Sequence, residues 1–455
     1  MAEQAEIIVV GLGPGGEDVA GRLAEAGLRV LGVEAELVGG ECPYWGCIPS
    51  KMIIRAANLL EEGRRIPGMA GASVITPSWE PVATRIRDEA TDTWDDTVAV
   101  ERFEGKGGTL VRGRARLDGP GRVLVGEREL TASKGIVLAA GAHAWIPPIE
   151  GLDGTPYWTN REAIACEEAP RSLLVLGGGA IGVELAQAFH RFGTEVTVVE
   201  AAGSLVLAEE PEAGRTLEEV FTAQGITVLT DTAATSVSHD GSRFTLTTEQ
   251  GTTLEAERLL VAVGRHVDLD ALGLASLGLD PSAKALDVDD HLRVRGAERL
   301  WGVGDLTGKG AFTHMSMYQA DIVVHDVLGD DVVPADYRAV PRVTFTDPEI
   351  GSVGLSERAA RAAGLRVRTG SAEVSSSARG WIHKVGNEGF IKVVEDADRG
   401  VLVGATSMGP WGGEVLSFLV LAIQAAVPTS MLAHMIYAYP TFHRAIETAV
   451  KDLSD

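Results

Sequence analysis

The sequence has few cysteines, no basic run and no long apolar run. Three cysteines in 455 residues cannot build a disulfide framework. A formal net charge of -24, with no basic run to displace counterions, argues against a nucleic-acid backbone as partner. No stretch approaches the ~20 apolar residues of a membrane span. The most apolar one, residues 415–427, contains Gln424 and reads as a buried helix. Residues 1–7 are acidic and lack the basic and apolar segments of a signal peptide. The expected compartment is a reducing cytoplasm. The length exceeds one ordinary core and predicts about three domains.

Two of the three cysteines, Cys42 and Cys47, are separated by four residues in the stretch Gly39–Lys51, ahead of a run at 52–62 that reads as a helix. Unpaired N–H groups and the positive dipole end at a helix start lower the pKa of a thiol placed there. A low-pKa thiol beside a second thiol is a redox device. Two buried structural cysteines are the other reading of the same residues.

The residues before this stretch narrow the choice. An apolar run at 6–10 is followed by Gly11-Leu12-Gly13-Pro14-Gly15-Gly16, a helical run to Ala26, a strand-like run at 28–33 and Glu34. This is the strand, glycine turn, helix, strand and acid of a dinucleotide-binding half. Gly11 is expected to make the tight turn, Gly13 to admit the pyrophosphate, Gly16 to permit close helix–strand packing, and Glu34 to accept from ribose hydroxyls. If the nucleotide is FAD, Cys47 is placed against its ring and Cys42 outward. The same order recurs at 173–200: a strand at 173–176, Gly177-Gly178-Gly179-Ala180-Ile181-Gly182, a helix at 183–192, a strand at 196–199 and Glu200. The distance from first glycine to acid is 23 positions in both copies, so the pattern repeats as a unit. Gly177, Gly179 and Gly182 take the same parts. Glu200, with Ala201-Ala202-Gly203 and no arginine after it, accepts from a 2'-hydroxyl and repels a 2'-phosphate, so NADH is expected over NADPH.

Between and beyond the copies the signals are coarser. Helical spacing runs over 80–100, short strands over 108–130, an apolar strand over 135–140 ending at Gly141, and a proline linker follows at 147–148. Alternating strands occupy 224–260, with turns at Asp240-Gly241 and Gln250-Gly251. A strand at 259–263 closes at Gly264-Arg265. A strand at 300–304 ends at Asp305, which reads as a ligand of a ribityl or pyrophosphate group or as a helix cap, and a helix follows at 312–328. Later strands are expected at 342–346, 390–395 and 402–407, with helices at 356–363, 412–426 and 442–453. The 412–426 run is apolar on nearly all faces, as a core or subunit interface requires. Residues 434 and 443 are histidines of no assigned role, and Cys166 is isolated and reads as structural.

Over essentially its whole length the chain resembles the class I pyridine nucleotide-disulfide oxidoreductases, the family of dihydrolipoamide dehydrogenase, glutathione reductase and mercuric reductase. The resemblance rests on the stretch from Cys42 through Lys51 and on the two glycine motifs. It implies an α/β fold of two Rossmann-like domains plus a C-terminal α+β dimerisation domain. The FAD-binding domain would span 1–149 and 266–340, the NAD-binding domain 150–265, and the interface domain of a homodimer 341–455. It also implies a redox-active Cys42–Cys47 disulfide, with Cys42 the interchange thiol and Cys47 the flavin-proximal one. Lys51 would approach the flavin and pair with Glu184. Gly40, Gly141, Gly264 and Asp305 join the cofactor-binding set, with Asp305 on the FAD ribityl chain. No metal site is assigned.

One departure bears on turnover. Where disulfide reductases of this family carry a histidine before Pro-Thr and a glutamate five positions on, this chain has Tyr439 and Arg444. An ordinary tyrosine titrates near pH 10 and is a poor base at pH 7; Tyr439 is read as a catalytic candidate whose hydroxyl orients or protonates a substrate next to Cys42, or else as a filler beside an apolar interface. Mercuric reductases share the tyrosine but end in a cysteine pair, whereas this chain ends Lys451-Asp452-Leu453-Ser454-Asp455. The expected function is an NADH oxidoreductase that passes electrons through FAD to a small disulfide or other thiol-reactive acceptor. A quinone or metal-ion reductase, and a non-enzymatic redox-sensing or complex-building flavoprotein, are the alternatives.

Overall fold

Apolar residues follow one another without interruption at positions 7–10, a pattern suited to a strand covered on both faces. In the structure, a computed structural model that describes residues 3–454, they form the middle of a sheet, with Ile7, Ile8 and Val9 wholly buried. Burying each such side chain contributes about 1.5–3 kcal/mol. Strand Glu3–Val10 pairs in parallel with Val30–Glu34 on one side and Arg128–Leu138 on the other. Thr109–Arg112 extends the sheet beyond Val30–Glu34, and Leu300–Gly302 joins Arg128–Leu138, both in parallel. Ala115–Leu117 and Arg122–Val125 add antiparallel strands. Helices Pro14–Glu25 and Thr313–Leu328 pack on each other. These elements belong to a unit built from Met1–Ser50, Thr84–Trp145 and Arg265–Asp336.

The other unit comprises Lys51–Ala83, Ile146–Gly264 and Tyr337–Asp455. Its first sheet is parallel, in the order Thr227–Leu229, Glu195–Val199, Ser172–Leu176 and Arg258–Val261. A three-stranded antiparallel meander, Ala234–His239, Phe244–Thr248 and Thr253–Ala256, turns where Asp240-Gly241 and Gln250-Gly251 predict. Its second sheet is antiparallel, in the order Pro341–Thr344, Glu349–Gly354, Val401–Gly409, Phe390–Asp396 and Val367–Glu373. Helix Gly412–Gln424 lies on that sheet through Val415, Leu416, Leu419, Ala422 and Ile423, and leaves Leu421 exposed. Among the described residues no helix is long and apolar enough to cross a membrane.

Three local expectations change. The helix expected at 52–62 is Cys47–Arg65, so Cys47 opens it. The helix expected over 80–100 is broken into Glu80–Arg85, a π-helical turn Ile86–Ala90, and Thr97–Gly105. Side chains compete with the backbone there: the Thr91 hydroxyl donates to the carbonyl of Ile86, and the Asp95 carboxylate accepts from the Thr97 N–H. Strands Glu349–Gly354 and Val367–Glu373 have no counterpart in the sequence reading. Gly351, Gly354 and Gly370 dilute their strand propensity, and pairing to neighbours on the sheet overrides it.

Candidate active site

The two glycine turns have the same construction. A Cβ on Gly16 would sit 2.0 Å from the Gly11 carbonyl oxygen, and a Cβ on Gly182 2.0 Å from that of Gly177. Only glycine lets each helix start so close to its strand. Gly13 and Gly179 are the N-caps of helices Pro14–Glu25 and Ala180–Arg191, and neither has a neighbour within 4 Å of where a Cβ would stand. Both helix N-termini therefore present backbone N–H groups beside open space, the arrangement that takes a pyrophosphate.

The acids close the turns. Glu34 accepts from the N–H of Leu12 at 2.7 Å and of Glu36 at 2.8 Å. Glu200 accepts from Gly178 at 2.6 Å and Ala202 at 2.7 Å. Each carboxylate thus orders its glycine loop with one lone pair of each oxygen. Burial raises the Glu34 pKa above the usual carboxylate value.

Gly40 joins the first turn to the cysteines. It has φ +65°, and a Cβ there would meet the Gly13 Cα at 2.8 Å, so the chain entering the redox stretch lies directly on the glycine turn. Cys42 then falls in the short helix Glu41–Tyr44, and Cys47 starts the long helix. No disulfide joins the cysteines. The Cys47 Sγ lies 3.3 Å from the Thr313 Oγ1, at the start of helix Thr313–Leu328; sequence reading missed Thr313, which no motif marks. Cys42 is half-buried and Cys47 exposed. Hydrogen bonding to Cys47 and then burial push the Cys42 thiol far above the ordinary range, against a smaller lowering by Thr313.

Asp305 lies in the 3-10 turn Gly304–Thr307 rather than at the cap of the following helix. Arg265 bridges two carboxylates, 3.8 Å from Asp305 and 3.8 Å from Glu41, and also donates to the Ala142 carbonyl. Burial raises the Asp305 pKa, with Arg265 opposing and Glu41 adding to it. Arg265 was read only as the end of a strand; its two carboxylate partners are far from it in sequence. Gly141 and Gly264 have φ +67° and +133° with open space where a Cβ would stand.

In the second unit Lys51 donates to Glu184 at 2.7 Å, as the resemblance implies. Glu184 is buried and also accepts from the Phe345 N–H at 2.8 Å, and the Lys51 ammonium sits 4.6 Å from the centre of the Phe345 ring. The 345–347 segment is fastened further: Gln187 accepts from the Asp347 N–H and donates to its carbonyl, while Arg65 and Arg191 both donate to its carboxylate at 2.7 Å.

Tyr439 is 70% exposed, with the Arg444 guanidinium 5.6 Å from its ring centre. The nearest acid in sequence, Glu447, is paired with Lys451 and Arg444. His434 bonds to the Ser430 carbonyl and His443 stands before helix Arg444–Lys451. Cys166 is held by a contact to the Ala163 carbonyl, and burial pushes its thiol up to about 12.

The sequence pattern of the pyridine nucleotide-disulphide oxidoreductases matches residues 5–320, and that of their dimerisation domain residues 340–450. A mercuric reductase of Acidithiobacillus ferrooxidans is 31% identical, across 99% of this chain and 82% of its own length. A dihydrolipoyl dehydrogenase of Chlorobaculum tepidum is 32% identical, across 99% and 97%. Among solved structures, the HOCl-induced flavoprotein disulfide reductase RclA of Escherichia coli, as its Cu(II) complex, superposes with a TM-score of 0.86 at 24% identity over 99% of both chains, a likeness of fold. LpdA of Mycobacterium tuberculosis superposes at 0.85 with 25% identity, again over 99% of both chains. The chain belongs to the pyridine nucleotide-disulphide oxidoreductases, FAD-dependent enzymes that use pyridine nucleotides, and its dimerisation domain supports a homodimer.

Proposed function

We propose that the protein is an NADH-dependent reductase of a small disulfide or other thiol-reactive oxidant, acting through Cys42 and Cys47. The observation that carries this reading is the backbone contact of Gly40 on Gly13, which puts the thiol pair directly after a dinucleotide turn. The residues fit FAD at that turn: the N-terminus of helix Pro14–Glu25 for the pyrophosphate, Glu34 for a ribose, Asp305 for the ribityl chain. Bound there, FAD supplies the two-electron link between a nicotinamide and the thiol pair. Lys51, anchored by Glu184, holds a positive charge one helical turn beyond Cys47.

With the pair reduced, the Cys42 sulfur attacks one sulfur of the acceptor disulfide and releases the other as a thiol. The Cys47 sulfur then displaces the second thiol, so two acceptor thiols leave and the Cys42–Cys47 disulfide forms. Glu200 and the absence of an arginine in residues 201–203 favour NADH over NADPH. By function, residues 1–149 and 266–340 serve FAD, 150–265 NAD and 341–455 the subunit interface.

Reduction of a thiophilic metal ion at the same thiols is a second reading, favoured by Tyr439 standing where the disulfide reductases have histidine. The experiment is anaerobic reduction of the FAD-loaded protein by NADH, then challenge with disulfides, quinones and thiophilic metal ions. Cys42→Ser and Cys47→Ser are expected to abolish turnover of the disulfide. Variants that keep full turnover with the fastest acceptor sink the thiol route and point to direct quinone reduction.

A further inference from the structure

Trp45 lies in the loop between Cys42 and Cys47, and its ring stacks on Trp94 with centroids 5.3 Å apart and planes 18° from parallel. The backbone that delivers Trp94 is unusual. After the π-helical turn Ile86–Ala90, residues Asp92, Thr93 and Trp94 have φ of 48°, 59° and 55°, a left-handed run that non-glycine residues avoid. Such a run persists only where its surroundings hold it. Thr91 is one holder, since its buried hydroxyl donates to the Ile86 carbonyl and accepts from the Trp94 N–H. Asp96 is another: it accepts from the Val38 N–H at 2.6 Å and from the Arg112 guanidinium, tying the turn to the residue before Gly39-Gly40. The Trp94 indole N–H is buried without a hydrogen-bond partner. The ring is therefore located by the turn and the stack, not by a polar contact.

We infer that Trp94 is a positioning residue for the thiol pair: by stacking on Trp45 it restrains the loop that joins Cys42 to Cys47 and favours their disulfide. The inference rests on the reading of these two cysteines as the redox pair. Restraint removes conformational freedom from the dithiol and little from the disulfide, whose ring already closes the loop. The exchange involved is Cys42 thiol plus Cys47 thiol plus glutathione disulfide giving the Cys42–Cys47 disulfide plus two glutathiones. One S–S bond forms, one breaks, and both protons pass to glutathione.

The test equilibrates the FAD-loaded, full-length protein anaerobically in glutathione buffers without nicotinamide, and measures the disulfide fraction by alkylation and mass spectrometry. Trp94→Ala is expected to lower the equilibrium constant about tenfold, a rise in potential of about 30 mV. Trp94→Phe, which keeps a ring to stack, is expected to stay close to wild type. Trp45→Ala and Trp45→Phe repeat the comparison from the other side of the stack, should Trp94→Ala fail to fold. An unchanged constant in the alanine variants, or an equal loss in the phenylalanine ones, overturns the inference. A wild type that forms no Cys42–Cys47 disulfide at any glutathione ratio overturns the proposed function as well.

Discussion

Hydrogen bonding to Cys47 and burial raise the pKa of the Cys42 thiol, in a chain that has Tyr439 and Arg444 where a histidine and glutamate would supply a base. Thiol exchange needs the thiolate. A pKa raised above the ordinary value leaves that species scarce at pH 7 and increasing as pH rises. The kcat/KM of the reduced enzyme for a disulfide acceptor is therefore expected to climb from pH 7 to 9, with up to about a tenfold gain per pH unit. A flat profile across that interval, measured with the acceptor limiting, contradicts the assignment of Cys42 as the unassisted attacking thiol. Glu34 and Glu200 show the same dependence on surroundings. The residue type suggests a ribose ligand; in the structure each carboxylate orders its glycine loop through two backbone N–H groups.

At the scale of elements, the repeated strand–turn–helix is the strongest link between sequence and geometry. Glycine leaves a visible signature because nothing else fits at 2.0 Å from a carbonyl oxygen. Gly16→Ala and Gly182→Ala should each push a helix off its strand, at a cost of about 1–3 kcal/mol for overpacking, but with separate consequences. Gly16→Ala is expected to purify with depleted flavin absorbance. Gly182→Ala is expected to keep its flavin and show a KM for NADH raised about tenfold or more, the equivalent of about 1.4 kcal/mol of binding. An unchanged KM in the second variant would count against the NADH site at 177–200. The segment 80–100 teaches the opposite lesson. Its helical spacing is real, yet Thr91 and Asp95 divert the backbone, and only the fold shows what the break presents to Trp45.

For the molecule as a whole, the dimerisation domain carries an apolar surface that the chain does not cover by itself. Ile436 is 96% exposed and Leu421 65%, with Met431 and Tyr439 also exposed. In a domain that supports a homodimer, such exposed apolar groups are the ones a subunit interface would bury. Ile436→Asp is expected to halve the mass seen by sedimentation and leave the flavin bound. A dimer of unchanged stability places the interface elsewhere.

Sequence alone determined the features that depend on chain-local constraints. Spacing of glycines, alternation of apolar runs and the acid 23 positions on mark the two strand–turn–helix halves, and the Cys42 to Lys51 stretch carries the resemblance to the family. Those features are local because a tight turn, a strand and a helix N-terminus are each made by neighbours in sequence. Only the tertiary structure decided how partners remote in sequence meet: Thr313 at Cys47, Arg265 between Glu41 and Asp305, Phe345 on Glu184, and Trp94 on Trp45. No pattern of spacing encodes such pairs, since packing rather than periodicity brings them within reach. The upward shift of Cys42 follows from that same packing.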